Sequence, residues 1–110
     1  MFKAIILLTR AEGTSRGEFR SWWLERHAPL ARQLPGLRRL VFNVVDTDDA
    51  HCDGISELWF DTQGDFEAAY ESEVGRQVTA DSLANVSGRV RLYVNEETLV
   101  EPADRSRRPD

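Results

Sequence analysis

At 110 residues, 41% hydrophobic and 30% charged, the chain has the size and composition of one globular domain, too short for two separate cores. Fourteen basic residues against nineteen acidic ones give a net charge of -5; the tail is neutral, because Glu101, Asp104 and Asp110 cancel Arg105, Arg107 and Arg108. An acidic body argues against a phosphate-backbone partner, and a lone cysteine, Cys52, excludes an intrachain disulfide and makes the reducing cytoplasm the expected compartment.

Phe2–Arg10 is short, apolar and rich in isoleucine and leucine, the pattern of a first strand. Its apolar run falls far short of the ~20 residues of a membrane span, and it has neither a basic leader nor a small-residue cleavage site, so neither membrane association nor a signal peptide is expected. Glu12–Gly13–Thr14 forms a turn, and Ser15 with Glu18 has the spacing of a capping box. The next helix runs to about Leu34, with Pro29 inside it predicting a bend or break near Arg26. Counting in threes and fours from Phe19 reaches Trp22/Trp23, Arg26/His27, Leu30 and Leu34, which places His27 on the apolar stripe.

Leu37–Asp46 is β-branched and aromatic, a second strand; Asp46–Gly54 is an acidic connection ending in Asp-Gly, the chemistry of a hairpin loop. Ile55–Asp61 is a third strand, antiparallel to the second. Phe66, Ala69, Tyr70, Val74, Val78 and Leu83 predict a short helix and a second one after a break near Ser72–Gly75. Arg89–Val100 is the last strand, and the charged, proline-containing segment 101–110 is expected to be disordered. The order β-α-β-β-α-β is the ferredoxin-like α+β arrangement, an antiparallel sheet with helices on one face. Leu40, Phe42 and Val44 on one side of the second strand, and Val41 and Val45 on the other, make both faces apolar. One helical layer cannot cover both, which predicts a homodimer.

The candidate catalytic residues are His27, Asn43 and Glu57. With a reference pKa of ~6.5, histidine is the side chain best suited to moving protons near neutrality, and the bend at Pro29 is expected to open space beneath His27. The alternative is a core histidine bonded to a carbonyl or carboxylate. Asn43 and Glu57 interrupt apolar strands that lie side by side. Either they bond each other, or they line a cavity facing His27 and orient a substrate oxygen. Trp23, Trp59 and Tyr93 are the candidate cavity walls. His51 and Cys52 are sequence neighbours whose side chains diverge, and a zinc site there would need loop carboxylates such as Asp49 or Asp53, so a solvated loop is the expectation. No phosphate-binding glycine loop, nucleophile elbow or dinucleotide fingerprint is present. The third strand, GISELWFD, lacks the basic, glycine-spaced aromatics of the RNA-binding module with this topology.

The W-x-x-x-H-A-P element from Trp23 to Pro29, the L-P-G after it, and D-G-I-S-E-L-W-F further on resemble the EthD-like domain of the dimeric α/β-barrel superfamily across Met1–Val100. The resemblance implies a ferredoxin-like protomer whose sheet pairs with a second sheet, with a pocket in each protomer between sheet and helices. It maps the motif histidine onto His27 and the D-G-x-x-E-x-W element onto Asp53, Gly54, Glu57 and Trp59. Members of that superfamily include polyketide cyclases, a muconolactone methylisomerase, dehydratases, decarboxylases and cofactor-free monooxygenases, most of them working without metal or organic cofactor. The chain departs from the methylisomerase pattern in lacking further core histidines. The expected function is therefore a small cofactor-independent lyase, cyclase or isomerase of secondary metabolism, acting on an aromatic or polyketide-derived molecule. A ligand-binding accessory protein and a cofactor-free monooxygenase are the alternatives.

Overall fold

The computed structural model describes residues 1–48 and 51–103; Asp49 and the charged segment from Asp104 onward lie outside the described residues. The chain runs β1 (Phe2–Arg10), α1 (Arg16–Ser21), a π-helical stretch (Trp22–His27), α2 (Ala28–Ala31), β2 (Arg39–Val44), β3 (Gly54–Phe60), α3 (Gln63–Glu71), α4 (Glu73–Asn85) and β4 (Val86–Val94). The four strands form one sheet in the order β2-β3-β1-β4 with every neighbouring pair antiparallel. This is the α+β, ferredoxin-like arrangement that the element order predicts.

Strand alternation divides the sheet into two faces. Ala4, Ile6 and Leu8 of β1, Leu58 and Phe60 of β3, and Leu40, Phe42 and Val44 of β2 pack into the core with Phe19, Trp23, Ala31, Leu34, Phe66, Ala69 and Val78 of the helical layer. The other face carries Lys3, Ile5, Leu7, Val41, Asn43, Ile55, Glu57, Trp59, Val90 and Leu92 by register. No helix among the described residues covers it, and Val90 and Leu92 stand 53% and 46% exposed.

The capping box forms as its spacing predicts: the Glu18 amide donates to Ser15 Oγ at 3.0 Å and the Ser15 amide to Glu18 Oε1 at 3.1 Å. The irregularity near Pro29 is not a break but a π-helical stretch, in which the Ala28 amide donates to the Trp23 carbonyl. Burial shows why. The buried side chains of this segment, Phe19, Trp23, His27 and Ala31, recur at every fourth residue. In a regular α-helix each such step drifts by ~40°, so the stripe would wind out of the core. The wider turn removes much of that drift and keeps Trp23 and His27 aimed at the sheet.

Several predicted boundaries shift. β4 begins three residues earlier than expected, at Val86, and ends at Val94 rather than Val100. Among the described residues its partner is β1 alone, and Lys3↔Val94 is the last register pair, where the ladder ends. Leu83 does not join the buried stripe of α4; it is 61% exposed, and Ser82 takes the inward position one turn after Val78. Gly54 is not a turn glycine but the first residue of β3, with an ordinary φ, the positive-φ glycines being Gly13 and Gly36. It is glycine for space: an added Cβ would sit 2.7 Å from the Trp23 indole.

Candidate functional site

His27 closes the π-helical stretch and is 4% exposed. Its Nδ1 lies 2.8 Å from Oδ2 of Asp81 and its Nε2 lies 3.3 Å from Oγ of Ser82, consecutive residues of α4. A carboxylate only accepts, so Nδ1 carries the proton and donates it to Asp81, which leaves Nε2 as an acceptor for the Ser82 hydroxyl. Asn85, one turn further on, donates to the Asp81 backbone carbonyl at 2.8 Å and steadies that end of the helix. Burial pushes the His27 pKa down, Asp81 opposes the shift, and the positive charge of Arg89 adds to it, leaving the pKa below its usual value. The lowered pKa favours the neutral ring, with Nδ1–H held by Asp81 and Nε2 accepting from Ser82. This is the protonation state a general base requires.

The ring is sandwiched by aromatics, 5.0 Å from the Trp22 ring and 6.2 Å from Phe42, while Trp23 stacks on Phe42 at 4.2 Å and 8°. Beneath it lies a closed cavity of only about 10 Å³, whose walls include Leu8, Trp23, Phe42, Ser56, Tyr70 and Arg89. That is the room of at most one water, so the space expected beneath a bent helix is not open. Two side chains of this wall hold buried N–H donors with no acceptor among the described residues, Nε1 of Trp23 and Nε of Arg89; Nε1 of Trp22, beside the His27 ring, is a third. Unmet buried donors are costly. Tyr70 shares the wall, and burial raises its hydroxyl pKa against the pull of Arg89 and Arg91.

Of the residues singled out from the sequence, only Trp23 joins His27 at this cavity. Asn43, Glu57 and Trp59 lie on the opposite, helix-free face and cannot face His27, because strand alternation sets Ser56 and Leu58 toward the helices. There Asn43 Nδ2 donates to Glu57 Oε2 at 3.0 Å, the pairing of one with the other that was the alternative reading. Lys3 bridges Glu57 at 2.9 Å and Glu96 at 3.2 Å, and Trp59 Nε1 donates to Glu96 at 3.1 Å. Burial pulls the Lys3 ammonium down, but its bonds to Glu57 and Glu96 outweigh this and raise its pKa. Asn43, then Lys3, holds the Glu57 carboxyl below the usual range, and Trp59, then Lys3, does the same for Glu96. Tyr93 shares the helical face but sits beside Phe2 and Phe66, at ring distances of 5.1 and 5.6 Å, and is not part of the cavity wall.

The D-G-x-x-E-x-W element thus has local work. Asp53 accepts from the Arg10 amide at 2.9 Å and its guanidinium at 2.7 Å, Gly54 leaves room for Trp23, and Glu57 and Trp59 anchor the other face. His51 is exposed and Cys52 is unpaired. Among the described residues no cluster of three histidine, cysteine or acidic side chains is placed to hold a metal.

Sequence reasoning missed Asp81, Ser82, Arg89 and Phe42. The signal for Ser82 was its spacing of four from Val78: a small polar residue on a buried stripe implies a polar group opposite. Asp81 and Arg89 had no comparable mark.

Fold and site together define a ferredoxin-like α+β domain that clamps a histidine between its helical layer and its sheet. The EthD domain matches residues 11–87, and the chain belongs to the EthD domain family. An uncharacterized 11.0 kDa protein of the thcB-thcC intergenic region of Rhodococcus erythropolis is 27% identical over 86 residues, covering 74% of this chain and 84% of that protein. Among solved structures, an EthD family protein from Bacillus halodurans superposes with a TM-score of 0.77 at 19% identity, covering 88% of this chain and 100% of the other. A dimeric ferredoxin-like protein of unknown function from Thermobifida fusca gives 0.70 at 15% identity, covering 84% and 88%. A mutant form of SnoaB, a cofactor-independent oxygenase from Streptomyces nogalater, gives 0.68 at 16% identity, covering 91% and 97%. At these identities the structures establish a shared fold. No helix among the described residues is long and apolar enough to cross a membrane.

Proposed function

We propose that the protein is a cofactor-independent enzyme in which neutral His27 acts as general base on an aromatic or polyketide-derived molecule, driving cyclisation, dehydration or a related rearrangement. The observation that carries this reading is one cavity lined by His27, whose Nδ1 is held by Asp81 and whose Nε2 accepts from Ser82, and by Trp23 and Arg89, whose Nε1 and Nε have no acceptor among the described residues. A base beside unmet donors is what enolising a carbon acid needs: the base takes the proton, and the donors stabilise the oxyanion that develops. The orienting role expected of Asn43 and Glu57 passes to Arg89 and Trp23.

The helix-free face is read as the seat of a second copy, since the apolar side chains Ile5, Leu7, Ile55, Val90 and Leu92 need a cover, and the Thermobifida fusca neighbour is described as dimeric. The unpaired Cys52 supports a cytoplasmic setting. The SnoaB neighbour favours a second reading, oxygenation of a deprotonated phenol at the same site, and the closed cavity favours a third, a binding protein that consumes nothing.

The test presents purified protein with 1,3-diketones and polyphenols and follows products by NMR with oxygen uptake in parallel. Product formation that falls by about 10²–10⁴-fold in a folded His27→Ala variant supports the leading reading. Oxygen uptake supports the second and binding without product the third. Equal turnover by the folded variant removes His27 from the chemistry.

A further inference from the structure

On the outer side of Phe42, away from His27, lies a groove of about 420 Å³ between the helix and the edge strand β2. It is walled by Leu24, Ala28, Leu37, Leu40 and Phe42 and rimmed by arginines. Leu40 and Phe42 also line the closed cavity under His27, so these two side chains are the partition between groove and cavity. The rim is unusual for a protein of net charge -5. Arg32 makes no ion pair or side-chain hydrogen bond among the described residues. Arg38 reaches Asp61 only at 3.7 Å, with both side chains more than half exposed. Arg39 also lines the groove, but its guanidinium lies 4.6 Å over Trp59 on the other face, so the arginines free to bind are Arg32 and Arg38.

We infer that this groove binds a planar apolar molecule carrying a carboxylate, and that it is the vestibule through which such a molecule reaches His27. The apolar floor, ending in a phenyl ring already stacked on Trp23 at 4.2 Å, suits an aromatic body. Arg32 and Arg38 supply forked donors for a carboxylate at its end. Anchored there, the body lies along Leu40 and Phe42, and a rotation of Phe42 off Trp23 joins groove to cavity. A carboxylate left outside also explains how the site takes an acidic molecule without burying a second negative charge near Asp81. The inference rests on the proposed catalytic reading only for the chemistry after entry; binding at the groove stands apart from it.

The experiment titrates the full chain with 2-naphthoate and with its neutral analogue 2-naphthalenemethanol, reading tryptophan fluorescence and the ¹⁵N resonances of the His27 ring. The Arg32→Gln/Arg38→Gln double variant is expected to bind naphthoate about tenfold or more weakly while its affinity for the alcohol holds, and added salt should weaken only naphthoate. Naphthoate should also shift the His27 ring signals in the wild-type protein. No binding, unchanged naphthoate affinity in the double variant, or an equal loss for both ligands would overturn the carboxylate site. A silent His27 ring would overturn the vestibule. His27→Ala that binds naphthoate normally but forms product at the wild-type rate would sink the catalytic reading and leave the groove intact.

Discussion

Replacing Gly54 with alanine tests what this residue is for. A methyl group there would lie 2.7 Å from Cη2 and Cζ3 of Trp23 and 3.1 Å from Cζ of Phe19, where relaxed carbon pairs sit at about 3.5–4.0 Å. Trp23 is hemmed in, fully buried and stacked flat on Phe42 at 4.2 Å. Since the φ of Gly54 is not positive, no backbone strain adds to the clash. Overpacking of this kind costs about 1–3 kcal/mol, and a blocked indole puts Gly54→Ala in the upper half, at about 2–3 kcal/mol. In a Trp23→Leu background the extra methyl has somewhere to go, and the same substitution should cost almost nothing. The coupling between the two sites is then about 2 kcal/mol. Urea unfolding of the four proteins of this cycle, at one fixed protein concentration because association shifts apparent stability, measures it. An equal cost of Gly54→Ala in both backgrounds, or none in the wild type, would refute the account of Gly54 as the seat of the Trp23 ring.

Further expectations concern acid, capping and assembly. Because burial holds the His27 pKa below its unfolded value of 6.5, the unfolded chain takes up the proton first as pH falls. Its stabilising effect is therefore complete above about pH 6.5 and is lost as pH drops through the folded-state value; His27→Gln should flatten stability against pH in that window, read by urea midpoints. Glu57, with its pKa lowered, loses its contribution only further down, below about pH 4.5. Ser15→Ala removes the side-chain half of the capping box, the bond from the Glu18 amide, and should cost about 1 kcal/mol in the same assay. Val90→Asp with Leu92→Asp should convert a species of twice 12.6 kDa into a monomer in light scattering, whereas a wild-type monomer would end the dimer proposal.

The fold was legible because its signals are local and redundant. β1 shows its isoleucines and leucines at the predicted residues Phe2–Arg10, Ser15 and Glu18 cap α1 as their spacing says, and Ser72 ends α3 and caps α4 within the predicted break. The site was legible only on one side. His27 and Trp23 share a helix, so their common direction follows from counting residues. Asp81 and Arg89 reach His27 from elements more than fifty residues away, and nothing local marks which polar residue of α4 or β4 will turn inward. Asn43 and Glu57 stand out as a pair without a face, because alternation fixes faces only relative to a register. The register comes from pairing Val41 with Glu57 and Asn43 with Ile55. Even the spacing of four through Phe19, Trp23, His27 and Ala31 is visible in the sequence, but it reads as an α-helical stripe until one asks how far it must extend.

A π-helical turn amounts to one surplus amino acid threaded into an otherwise ordinary spiral. Deleting a single residue between Trp22 and Arg26 would let the spiral close up with its two ends still in phase, whereas closing it with every residue kept would swing everything on its N-terminal side by about 100° relative to the C-terminal side. Phe19 and the capped first turn would then face solvent while His27 stayed on Asp81. The segment therefore behaves as a mechanical phase shifter, setting the angle between a structural half that seals the sheet and a chemical half that holds the imidazole.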